Sequence, residues 1–129
     1  MYIFSTAIPT PDLLIREVPC APSVEVGDVV RMDVGAVVKA DATNLVNSNI
    51  VGIVEALNGD GNCTIRVMGL TGNIFTGLSA PSEYFLSDTL PGKITASPPV
   101  APGSVVVRLG QALDSQRLLL FKSTPLIRT

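Results

Sequence analysis

The chain has no histidine, no tryptophan and only two cysteines, and charged residues make up just 16% of its 129 positions. Without histidine, no chemistry that relies on imidazole as general base or metal ligand is open to it. With 9 Lys+Arg against 11 Asp+Glu there is no cationic excess to neutralise phosphates, so no nucleic-acid partner is expected. Four Phe and two Tyr make a poor platform for stacking bases. Long apolar runs are missing as well. The longest charge-free stretch, residues 67–82, is interrupted by Gly69, Gly72, Asn73, Gly77 and Pro81, whereas a spanning helix needs ~20 mostly apolar residues. No membrane partner is expected either. The first six residues lack the basic region of a secretory signal, and Pro9 and Pro11 follow directly, which predicts a chain not exported by that route. Cys20 and Cys63 lie far apart and have no metal-ligand spacing; they are either two unlinked thiols or one bridge.

What the chain has in excess is apolar mass. The hydrophobic fraction is 47% before glycine is counted and about 55% with it, against a usual ~45–50%. Mean hydropathy is +0.45 and the pI is near 4.9. Such a composition excludes intrinsic disorder, and the length suits one domain.

Glycine and proline punctuate the chain at intervals of roughly 8–12 residues, with short Val/Ile/Leu runs between them, the pattern of a β-sandwich or barrel. The clearest segment is a hairpin over residues 49–69: a strand over 50–57, the turn Asn58-Gly59-Asp60-Gly61-Asn62, and a return strand in which Cys63, Ile65 and Val67 alternate with Thr64 and Arg66. A second hairpin leads from residues 104–113 through Asp114-Ser115-Gln116 into residues 117–122. The two echo each other, since both place a glycine (Gly52, Gly110) inside a strand shortly before Ala-Leu and the turn. A mid-strand glycine marks a bulge or the close approach of another backbone. Shorter strands are expected over residues 24–26, 29–32, 36–40, 83–87 and 93–96. Residues 97–103, with three prolines, can only be an exposed connection. The predicted fold is all-β: a small antiparallel β-barrel or sandwich over residues 23–129, preceded by a Pro-rich N-terminal arm over residues 1–22.

Pro9, Pro11, Pro19 and Pro22 break that arm. Thr10 as N-cap with Pro11 behind it would start a short helix that Pro19 stops; the alternative is an extended segment. In either form Tyr2, Ile3, Phe4, Leu13, Leu14 and Ile15 need cover, from the protein's own core or from a neighbouring subunit. These six are the candidate partner-binding residues.

No catalytic constellation emerges. The eleven acidic residues are scattered singly, mostly at strand ends and turns where Asp bonds to local backbone. Asn58-Gly59-Asp60-Gly61-Asn62 alternates oxygen ligands like a calcium loop but lacks the downstream Glu, and a hairpin turn explains it better. No phosphate-cradling glycine motif is present. Neither a catalytic residue, a cofactor nor a metal is expected. A lipoyl-type carrier domain, suggested by Val24-Glu25-Val26-Gly27-Asp28-Val29-Val30, is rejected because no lysine sits at either hairpin tip.

One resemblance adds to this reading. Val26-Gly27-Asp28-Val29-Val30, Ala40-Asp41-Ala42 before Ile50-Val51-Gly52-Ile53-Val54, Tyr84-Phe85-Leu86-Ser87-Asp88-Thr89-Leu90-Pro91-Gly92-Lys93-Ile94-Thr95 followed by Pro98-Pro99, and Val106-Val107-Arg108-Leu109-Gly110-Gln111-Ala112-Leu113 with Leu118-Leu119-Leu120 together follow a family pattern. Over residues 24–121, about three quarters of the chain, the sequence resembles a β-domain of tailed-bacteriophage virion proteins, found in capsid decoration and head-fibre proteins and in tail-fibre modules. Lys93 departs from it, standing where glycine is common. The resemblance implies a non-enzymatic particle component. The pattern separates head from tail poorly, but a short stand-alone domain with an arm fits a capsid decoration (cement) protein best: one of the virion surface, made in the host cytoplasm, whose expected partners are the major capsid protein and copies of itself as a dimer or trimer. The alternative it leaves is a tail-fibre, receptor-binding module for host adhesion, against which the shortage of aromatics weighs.

Overall fold

The computed structural model describes residues 13–129, and it is all-β. Eleven strands follow one another: β1 (Leu13–Pro19), β2 (Val29–Asp33), β3 (Ala36–Lys39), β4 (Ile50–Leu57), β5 (Asn62–Leu70), β6 (Glu83–Leu86), β7 (Ile94–Thr95), β8 (Val105–Val106), β9 (Arg108–Ala112), β10 (Leu118–Leu120) and β11 (Leu126–Ile127). The two expected hairpins are β4–β5 and β9–β10. In the first turn Gly59 and Gly61 take φ of +83° and +86°, and Asn58 N–H closes it onto the Asn62 carbonyl at 2.9 Å. In the second, the Asp114 carboxylate accepts the Gln116 and Arg117 amides, each at 2.9 Å, the local side-chain turn that Asp favours.

The main sheet runs β3-β2-β4-β5-β10-β9-β6-β7, antiparallel at every pairing and curled into a half-barrel. This order is palindromic. Hairpins β2–β3 and β6–β7 form the two margins, hairpins β4–β5 and β9–β10 lie inside them, and β5 meets β10 in the middle. The echo between the hairpins is therefore an echo between two four-stranded units. Gly52 stands opposite Val30, and Gly110 opposite Tyr84, and in each case the register slips at the next residue of the outer strand. A Cβ on Gly52 would overlap the Arg66 carbonyl oxygen, and one on Gly110 the Leu119 carbonyl oxygen. Both glycines are where a neighbouring backbone leaves no room for a side chain.

Two apolar clusters hold the sheet. The larger, with Val29, Ile53, Leu86, Val107, Leu109, Leu118 and Leu120, draws on both units. The smaller, with Val24, Val30, Val37, Val54, Cys63 and Ile65, belongs to the first unit and is covered by Val18, Cys20 and Ala21.

That cover settles the conformation of the described part of residues 1–22. Leu13–Pro19 is a strand, not a helix, and pairs antiparallel with β5. The physical reason is the free edge of β5. β4 takes one edge and β10 reaches only Gly69 and Leu70 on the other, so the stretch from Asn62 to Met68 needs a partner for its backbone groups. β1 supplies it, with an irregular register at Glu17, whose φ is +58°. Other boundaries also moved. Residues 24–26 bend rather than form a strand, because the Asp28 carboxylate accepts the Glu25 amide at 2.9 Å. The expected strand over residues 104–113 is split into β8 and β9, and β8 pairs with the unanticipated β11.

Adding a methyl group should therefore be far more disruptive inside the strands than at the turns. Gly52→Ala and Gly110→Ala should each destabilise by about 3 kcal/mol or more, or abolish folding. Gly59→Ala, with open space around it, should lose only about 1–2 kcal/mol for its positive φ. Urea denaturation of the three variants checks this; equal losses would refute the close-approach account.

Candidate interaction surface

Any chemistry would need titratable side chains. Asp28, immediately before β2, has no exposed surface. One carboxylate oxygen accepts Lys93 Nζ at 2.9 Å, the other accepts the Glu25 amide, and Lys39 Nζ lies 3.8 Å away. Gly92 packs against it so tightly that a Cβ there would come within 3.0 Å of Asp28 Cγ. The hydrogen bond that Lys93 donates to Asp28 holds its ammonium above the ordinary lysine value of 10.5 against the opposing effect of desolvation, with Glu25 adding to it. Glu55 accepts Arg66 Nε at 2.6 Å and the Gly72 amide. Asp114 is held below the usual carboxylate range, first by its hydrogen bond from Arg117. Asp41 accepts the Thr43 amide and hydroxyl and the Asn47 side-chain amide. Each of these carboxylates ties one piece of chain to another. Among the described residues no group of three or more His, Cys, Asp or Glu is placed to hold a metal ion, and Asp60, in the loop that resembles a calcium site, accepts the Asn62 amide within the turn.

The two cysteines, distant in sequence, come together. Val18 stands opposite Cys63 across the β1–β5 ladder and Cys20 follows two residues later, its amide bonded to the Gly61 carbonyl at 2.9 Å. Both thiols are free. Burial, with a contact to the Cys20 thiol, pushes Cys63 up to about 12.

Of the six candidate partner-binding residues, Tyr2, Ile3 and Phe4 lie outside the described residues. Leu13, Leu14 and Ile15 are brought together on β1, where Leu13 and Ile15 remain exposed. The larger apolar feature is elsewhere. Met32 at the end of β2 and Leu45 and Val46 in the β3–β4 loop are exposed, Val46 at 71%. They line an open groove of about 540 Å³ with Arg31, Val51 and Pro125. The loop that carries Leu45 and Val46 is pinned from within by Asp41 and by Asn44, whose side-chain oxygen accepts the Asn47 amide at 2.8 Å. The side chains of Asp41, Asn44 and Asn47 brace the loop while Leu45 and Val46 stay exposed. Sequence reasoning missed this site; its one signal was the Leu45-Val46 pair inside the otherwise polar run from Thr43 to Asn49.

Comparison with known protein families, curated proteins and solved structures returned no match.

Two outcomes follow from these contacts. Asp28→Asn removes the charge that faces Lys93 and Lys39 and should destabilise by about 1–3 kcal/mol, the range for a hydrogen bond to a charged group. Because the folded pKa of Lys93 is raised, its contribution is complete below pH 10.5 and fades as pH climbs through the higher folded value. The wild-type advantage over Asp28→Asn should therefore shrink above pH 10.5 in chemical denaturation curves; an advantage that grows there would refute the pairing. Cys63 should resist aromatic disulfide reagents at pH 8 until the protein unfolds, as mass mapping of labelled cysteines would show, since only the thiolate attacks. Labelling of native Cys63 would contradict its burial.

Proposed function

We propose that the chain is a structural β-domain of a tailed-phage virion, a non-enzymatic decoration protein that binds the outer surface of the assembled head as a symmetric oligomer. The observation that carries this reading is the division of labour in the side chains. Carboxylates and amines are engaged in tying strands together, while aliphatic residues are held outward on a rigid frame at β1 and at the β3–β4 loop. That arrangement suits recognition of another protein surface and not the turnover of a substrate. The stretches that carry the family resemblance also meet in space, Asp28 of one against Gly92 and Lys93 of the other. Lys93, which departs from the family pattern, supplies the charge opposite Asp28. A ligand that binds only the assembled shell stabilises it by mass action, about 2.7 kcal/mol per site at a hundredfold excess over Kd. Many copies then resist the pressure of packaged DNA. The partners in this reading are the major capsid protein and further copies of the chain, located at the virion surface.

The test is co-sedimentation with shells and with free coat subunits of the phage that encodes the chain, alongside analytical ultracentrifugation of the protein alone. A dimer or trimer that pellets with mature shells and not with subunits is expected. A monomer at micromolar concentration that ignores shells would overturn the proposal, and binding to host cells instead would favour the tail-fibre, host-adhesion reading. Leu13→Ser with Ile15→Ser should weaken self-association or shell binding at least several-fold while β circular dichroism stays unchanged.

A further inference from the structure

The two thiols meet at the junction where the first unit closes on itself. Cys20 follows β1 directly, and its amide donates to the Gly61 carbonyl in the β4–β5 turn. On its other side Cys20 bridges to Val37 of β3, whose carbonyl accepts the Ala21 amide at 2.9 Å. β1 therefore lies against β5 and ends against β3. Its grip along the way is uneven. The register with β5 slips between Leu13 and Leu14 and again between Ile15 and Val18, and Glu17 takes a φ of +58°, which is costly for a side chain of this kind. Val18 stands opposite Cys63, and Cys20, two residues further on, points to the same side of the ladder. The side chains of Cys20 and Cys63 pack in one apolar cluster with their thiols in contact. Cys63 is buried and Cys20 is partly exposed. Two thiols held side by side have a chemistry that neither has alone.

We propose that Cys20 and Cys63 are a reversible redox pair whose disulfide locks the end of β1 onto β5 and fastens the first unit shut. The oxidant is a small-molecule disulfide such as oxidised glutathione. The Cys20 thiolate attacks one of its sulfurs, expels one glutathione thiolate and is left joined to the other glutathione. Cys63 then gives its proton to solvent, attacks the Cys20 sulfur and expels the second glutathione. The protein has lost two protons and two electrons, and the oxidant departs as two thiols. Only Cys20 meets the reagent, so Cys63 reacts with its neighbour and never carries the small thiol itself, in keeping with its burial. Diagonal neighbours in a ladder have Cα atoms about 7–8 Å apart, a little beyond the span of a relaxed disulfide. The slips in the register of β1 supply the slack, and a bond closed under tension yields readily to thiols. The result is a lock that opens again. It closes a long loop that contains β2, β3 and β4, and such loops are the ones whose closure restricts the unfolded chain most. The lock does not depend on what the protein's surface binds.

The experiment equilibrates the reduced full chain, under native conditions, with mixtures of reduced and oxidised glutathione, blocks the remaining thiols and digests with trypsin without reduction. The expected product joins the peptide of residues 17–31 to that of residues 40–66 within one chain. The oxidised protein should have a urea midpoint higher by about 1 M or more, with exchange of the Val18 and Cys20 amides slowed about tenfold or more. Dithiothreitol should restore both thiols and the original midpoint without unfolding. Cys20→Ser should show none of these changes. A glutathione adduct that stays on Cys20, a bond between two chains, or an internal bond that forms only in urea would overturn the proposal. So would an oxidised form no more stable than the reduced one, or a bond that dithiothreitol opens only after unfolding. Should Cys20→Ser fail to fold, the peptide maps of the native and the urea-unfolded wild-type protein decide alone.

Discussion

The Asp28 carboxylate is cut off from water and answered by Lys93 and Lys39, and much of the sheet is arranged around that fact. A buried charge is tolerated only when paired and hydrogen-bonded. Here the partners come from both four-stranded units, Lys39 from the first and Lys93 from the second. The backbone follows the same route. Val29 donates to the Gly92 carbonyl at 2.8 Å, Gly92 to the Ala40 carbonyl at 2.7 Å, and Val54 to the Asp28 carbonyl at 2.9 Å. Gly92 must lack a side chain for this to happen, and Gly27, with φ of +91°, must turn the chain into it. One carboxylate thus joins the margin of one unit to the other.

The palindromic strand order repeats a single solution twice. In each unit a short hairpin flanks a long one, and a glycine in the long hairpin lets two backbones approach more closely than any side chain allows. The two units are not finished alike. β5 is longer than β10 and leaves an edge that β10 cannot cover, so β1 is recruited there and brings Val18, Cys20 and Ala21 onto the second apolar cluster. The same recruitment leaves Leu13 and Ile15 facing outward.

In the reading we propose, the protein's function lies in surfaces. Its ion pairs and turn-forming carboxylates stiffen loops, and stiff loops can present aliphatic side chains to water without collapsing onto the core. The Asp41–Asn47 loop is the clearest case. A binding surface built this way loses little conformational freedom on docking, which suits the assembly role we propose.

The sequence by itself determined the β class, the hairpins β4–β5 and β9–β10, and the meaning of Gly52 and Gly110, because turn chemistry, period-2 alternation and glycine placement are local signals. The helix-start signal at Thr10-Pro11 was also local, yet for Leu13–Pro19 it lost to the unpaired edge of β5. That edge is a long-range demand which no window of sequence displays. Tertiary structure alone decided that Asp28 meets Lys93 across 65 residues, that Cys20 lies beside Cys63, and that Leu45 and Val46 share an open groove with Met32. Such sites depend on which distant strands become neighbours, and the pairing of strands follows from backbone hydrogen-bond demand over the whole sheet rather than from any residue's own preference.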